Sequence, residues 1–166
     1  MQIDLTPTLI DMYRETFEGY VKPDWCWIVS GPADKSVLGS LAGLTVERAY
    51  ATSDSRHKSI AAHAAHLRYT LDLTLRRLNG ENPPADWDRS FDVGAPSPAA
   101  WQQLQSDLRT AYDGVLAFFD RQRNRPIADW QPIQVVGLAA MIGHNAYHLG
   151  AIRQLIVSTR TDSTAN

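Results

Sequence analysis

The chain has 166 residues, 44% hydrophobic and 20% charged, with 16 basic against 18 acidic side chains and a formal net charge of -2. That balance carries no electrostatic footprint for nucleic acid and no polybasic membrane patch, and a chain of this length buries enough surface to fold as one domain without a disulfide or structural metal. Cys26 is the single cysteine, which excludes an internal disulfide and suits a reducing compartment. The acidic opening Met1-Gln2-Ile3-Asp4 and the lack of ~18 uninterrupted apolar residues predict a cytoplasmic protein with no leader and no membrane span.

Thr6-Pro7 reads as a helix opening, with the Thr6 hydroxyl as cap and proline in the first turn, where its missing N–H is harmless. Leu9, Ile10, Tyr13 and Phe17 follow at helical spacing, and Lys22-Pro23 sets the limit of the helix. Residues 23–59, with Gly31-Pro32, Gly39, Gly43 and the run Thr52-Ser53-Asp54-Ser55, read as an irregular connection holding one short helix near Val46–Ala51. Ser59 to Asn79 lacks proline and glycine and aligns Leu67, Leu71, Leu75 and Leu78 on one stripe, with Gly80 as the C-terminal cap. Glu81 to Pro96 has no period and is expected to be a long crossover. Ser97-Pro98 opens a third long helix carrying Trp101, Leu104, Leu108, Tyr112, Val115 and Phe119 and ending within Arg121–Pro126. Pro132 opens a fourth, and Ile133–Val157, the most apolar run, is expected to be the most deeply buried element. Strand signals are nearly absent, so the expected architecture is an all-α four-helix bundle: one domain over residues 1–158 and a flexible tail over 159–166.

The chemistry lies in the histidines. His144 and His148 stand in Gly143-His144-Asn145-Ala146-Tyr147-His148-Leu149-Gly150. At about 100° per residue both fall on the helix face shared with Met141, Ile152 and Leu155, so both point inward. An unpaired imidazole in an apolar interior costs about 1 to 3 kcal/mol per unsatisfied group, and a shared divalent metal removes that cost for two rings one turn apart. The i, i+4 spacing matches the metal-binding helix of zinc proteases, although Asn145 stands where those carry Glu. His63-Ala64-Ala65-His66-Leu67 offers a third ligand. Helical periodicity slightly favours His63, which lies opposite the polar face of Arg68, Asp72 and Arg76, and either histidine can serve. The bland reading of the four is a hydrogen-bonded core cluster. His57 reads as a solvated loop side chain, Cys26 as a small loop hydrophobe, Tyr147 and Asn145 as packing groups, and the tryptophans mainly as plugs at the bundle ends.

Together these residues resemble the DinB/YfiT-like family of bacterial metal-binding four-helix proteins. The resemblance rests on His66-Leu67 followed by Gly80, on His144-x-x-x-His148 followed by x-Gly150, and on an order of elements that covers Thr6 to Val157. It implies an up-down-down-up bundle with a long crossover and a metal triad of His66, His144 and His148. The family commonly places Gln after that glycine, where this chain has Ala151. Relatives of known activity are transferases or isomerases that use low-molecular-weight thiols, and the resemblance also implies a homodimer.

Three histidines leave open coordination positions, the mark of a catalytic site. The expected function is that of a metal-dependent enzyme in which zinc or nickel activates a thiol or water, for transfer or isomerisation of a small molecule or for hydrolysis, with His63 as base or as support to a ligand. The rival expectation is a non-catalytic metal- or ligand-binding homodimeric helical module.

Overall fold

The computed structural model describes residues 4–19, 26–29, 33–52 and 58–161. Among these the secondary structure is all-helical: α1 (Thr6–Glu18), α2 (Val37–Ala42), α3 (Val46–Tyr50), α4 (Ile60–Leu78), α5 (Pro98–Asp120) and α6 (Pro132–Thr161), with two single 3-10 turns at Ala33–Lys35 and Ile127–Asp129. Each of the four long helices packs against two others: α4 against α5 and α6, and α1 against α5 and α6.

The helix starts follow from local hydrogen bonding. Ser36, Thr45, Ser59 and Ser97 each accept a backbone N–H from the first turn of α2, α3, α4 and α5, which satisfies donors that a helix N-terminus leaves without partners. α1 departs from the reading above. Thr6 is its first residue and not its cap; the Asp4 carboxylate accepts from the Thr6 N–H at 3.0 Å, and the Thr6 hydroxyl donates instead to the Arg125 carbonyl at 3.1 Å. The helix stops at Gly19, ahead of Lys22-Pro23, which lies outside the described residues. α2 lies where the sequence indicated irregular chain, because Ser36 caps a short turn in which Val37 and Leu41 are buried. α4 ends as expected, with Gly80 at φ 88°, a left-handed conformation that glycine adopts without a Cβ penalty. α6 runs on to Thr161, and residues 162–166 lie outside the described residues.

The core is aromatic at one end. Phe17 stacks on Tyr112 at 4.6 Å between ring centroids, and Phe119 lies parallel to Trp130 at 5.6 Å. Trp101 is buried and donates to the Leu44 carbonyl at 3.0 Å, whereas Trp27 and Trp87 are more than half exposed and do not plug the core. Gly114 brings α5 close to α4: a Cβ there would stand 2.8 Å from Leu75 Cδ2. The buried Glu15 carboxylate accepts the backbone N–H groups of Trp27, Ile28 and Val29 at 3.1, 2.7 and 2.8 Å, tying the segment after α1 back onto that helix.

The expectation that Ile133–Val157 is the most buried element is corrected. In α4, Ile60 to Leu67 is buried at every position but His63, while α6 leaves Ile133, Val136, Tyr147 and Val157 exposed. The run is apolar because its outer stripe carries apolar and small residues as well as its inner one. By length and composition α6 is the one described helix long and apolar enough to cross a membrane; its inward face packs against α1 and α4.

Candidate metal centre

α4 and α6 lie side by side, and their inward turns bring four imidazoles together. His66, His144 and His148 each present a ring nitrogen, and these three atoms all lie within 4.8 Å of one another. His66 Nε2 stands 3.0 Å from His144 Nε2, and His63 Nδ1 stands 2.9 Å from His148 Nδ1. His66 and His148 are buried, and His63 and His144 half-buried. The triad implied by the resemblance is therefore assembled in space, and His63 stands at its edge as the partner of His148. His57 lies outside the described residues.

A third segment completes the cluster. The Asp86 N–H donates to the Tyr69 hydroxyl at 2.6 Å, fastening the loop between α4 and α5 over α4. From that loop the Ser90 hydroxyl lies 2.8 Å from His66 Nδ1 and 2.7 Å from the Trp87 carbonyl. The Phe91 ring lies on His66 at 4.0 Å between centroids and 7° from parallel, with Lys58 Nζ 5.4 Å from the Phe91 centroid. Ser90 and Phe91 were not singled out from the sequence. Their only signal was that Phe91 is one of two aromatic residues, with Trp87, in an aperiodic segment.

All four imidazoles are held below the ordinary histidine range, so they are neutral at pH 7. Burial is the main cause in each. It pushes His66 down to about 4, helped by His144 and His63. It pushes His148 down to about 3, helped by His144, His66 and His63. His63 is lowered by burial and then by the Lys58 charge. For His144 the neighbouring Asn145 amide works against the burial effect.

These features fit a divalent metal. Neutral imidazoles expose lone pairs, and two nitrogens bound to one tetrahedral zinc at about 2.0 to 2.1 Å stand about 3.3 Å apart, close to the His66–His144 separation of 3.0 Å. His144 Nδ1 and both polar atoms of the Asn145 amide are buried without a hydrogen-bond partner, so the centre is not closed by internal hydrogen bonds alone.

A family model described as the DinB superfamily matches residues 34–152, and the chain belongs to that superfamily. The matched span contains all four clustered histidines together with Ser90 and Phe91. No curated protein and no solved structure matches the chain.

Proposed function

We propose that the protein is a metal-dependent enzyme acting on a small molecule, with His66, His144 and His148 as ligands to one divalent ion, zinc or nickel. The single observation that carries this reading is the convergence of three neutral ring nitrogens from two helices within 4.8 Å. When bound, the metal supplies a Lewis acid that lowers the pKa of a coordinated thiol or water towards neutrality. The chain's own residues do the rest. Ser90 holds the Nδ1 proton of His66, which leaves Nε2 as the ligating atom. With His148 holding the metal through Nε2, its Nδ1 would carry the proton shared with His63 Nδ1 at 2.9 Å, and His63 would be placed to hold or relay that proton. Phe91 covers one face of His66 and excludes water from it.

Membership of the superfamily supports thiol transfer or isomerisation with a low-molecular-weight thiol as the reaction class, with hydrolysis as the other chemistry open to three imidazole ligands. In the same reading α1, α4, α5 and α6 form an up-down-down-up four-helix bundle, with the segment between α4 and α5 as its long crossover. The exposed apolar side chains of α6, Ile133, Val136, Tyr147 and Val157, favour a homodimer. They equally suit the second reading, a non-catalytic metal-binding homodimeric module.

Elemental analysis of untagged, chelator-free protein is the test. Near-stoichiometric zinc or nickel that is lost in His66→Ala, His144→Ala and His148→Ala, and retained in His63→Ala, is the expected result and justifies screening electrophiles against small thiols. Protein that stays metal-free after incubation with divalent ions overturns the reading and leaves a buried hydrogen-bonded cluster.

A further inference from the structure

A concave site lies away from the histidines, where α2, α3 and the last third of α6 meet. It is a cleft of about 680 Å³, within the range of small-molecule sites. Its apolar wall is Leu44, Ile156 and Val157, and Lys35, Arg48 and Arg153 bring three cations to it against one carboxylate, Asp34. At about 100° per residue, Arg153 and Gly150 fall about 140° and 200° round α6 from His148, so the cleft and the histidine cluster occupy different sides of that helix.

Among the described residues the cleft gathers cations that have no carboxylate partner, as Lys58, Arg77, Arg121 and Arg125 have none elsewhere, and what sets it apart is that three of them meet in one concavity. Arg14, Arg68, Arg76, Arg89, Arg109 and Arg123 each pair with a carboxylate. Among the described residues no carboxylate lies within ion-pair distance of Lys35, Arg48 or Arg153. Arg48 is half-buried, spends one terminal nitrogen on the Ile156 carbonyl at 3.0 Å, and keeps its Nε buried with no partner. A guanidinium removed from water without a counter-charge is costly, and the cost is offset when an anion arrives. Space for one is present: a Cβ built at Gly43 or Gly150 meets nothing within 4 Å.

The geometry points to a binding site for a small polyanion, a molecule carrying a phosphate or paired carboxylates whose oxygens are taken by Arg48, Arg153 and Lys35 and whose apolar part rests on Leu44, Ile156 and Val157. Guanidinium groups suit this chemistry because their planar fork engages two oxygens at once. The site is independent of the proposed metal centre and needs no metal.

The experiment is a titration of the full-length chain, stripped of metal beforehand because both probes chelate, with pyrophosphate and separately with citrate, following the backbone amide resonances of Gly39 and Gly43. Saturable one-site shifts are expected. A response to pyrophosphate alone assigns a phosphate ligand, and a response to citrate alone a polycarboxylate. Arg153→Met is expected to weaken binding about tenfold, the loss of one charge-assisted pair, and Gly43→Leu to abolish it by filling the cleft while all three cations remain. His66→Ala, which removes a proposed metal ligand, is expected to leave anion binding at the cleft unchanged. Unsaturable drift with both probes overturns the proposal, as does saturable binding that is indifferent to Arg153→Met and Gly43→Leu or that requires His66.

Discussion

The Ser90 hydroxyl stands between the Trp87 carbonyl at 2.7 Å and His66 Nδ1 at 2.8 Å, and it has one proton for the two contacts. A carbonyl only accepts, so that proton goes to Trp87 and His66 Nδ1 must be the donor to Ser90. The tautomer of His66 is thereby fixed by a residue 24 positions away, and its Nε2 is left as a lone pair facing His144. Partners of this kind orient a metal ligand, and their loss typically weakens affinity about 10- to 100-fold. Ser90→Ala is therefore expected to weaken zinc binding by that factor in a chelator competition and, because it leaves the buried His66 Nδ1 without its partner, to lower the stability of the metal-free protein by about 1 to 3 kcal/mol. Unchanged affinity would show that Ser90 only fastens the loop.

The depressed histidines tie stability to pH in the metal-free protein. His66 and His148 titrate at about 4 and about 3 when folded and near 6.5 when unfolded. Between those values the unfolded chain binds more protons, so stability rises with pH across that window and levels off above it. Acidification from pH 7 to 4 is expected to lower the urea midpoint, with most of the loss falling below pH 6.5. His66→Phe, which keeps a ring in place and removes the titration, is expected to flatten that slope. A wild-type midpoint that does not move between pH 7 and 4 would mean that the imidazoles are not held neutral by burial.

Glu15 supplies a test of the fold away from the site. Its two carboxylate oxygens take three backbone N–H groups from Trp27, Ile28 and Val29. Glu15→Gln leaves one good acceptor oxygen and turns an NH2 towards donors, so about 2 kcal/mol of stability should be lost, the scale of a hydrogen bond to a charged group. Equilibrium denaturation reads that loss as a lower midpoint at unchanged slope.

What the sequence disclosed depends on whether the cause is local. Ser59 and Ser97 before apolar runs, and Gly80 after one, are local signals: α4 begins after Ser59 and ends just before Gly80, and α5 begins after Ser97. The inward direction of His144 and His148 follows from helical period alone. His66 over His63 did not: periodicity slightly favoured His63, and the structure gives both a place, with His66 among the three converging nitrogens and His63 against His148. Ser90 and Phe91 were invisible because their role arises only when an aperiodic loop folds over α4. The depth of α6 was misjudged for a different reason, since composition counts apolar residues without knowing whether a neighbour covers them.

The stacking of Phe91 on His66 gives the most selective prediction. Phe91 shields the ring at 4.0 Å, and burial is the first cause of the low His66 pKa. Phe91→Ala admits water to that face and is expected to raise the His66 pKa from about 4 towards 6.5, read from the imidazole carbon-bound proton shifts of metal-free protein. Lys58→Met serves as the contrast. It removes the charge that contributes to the lowering of His63, so His63 is expected to move up while His66, on which His144 and His63 act rather than Lys58, moves much less. A His66 value that stays at about 4 in Phe91→Ala would transfer the cause from the aromatic cover to the neighbouring imidazoles of His144 and His63, and a His66 that responds to Lys58→Met as strongly as His63 does would show that the loop cation acts on the whole cluster.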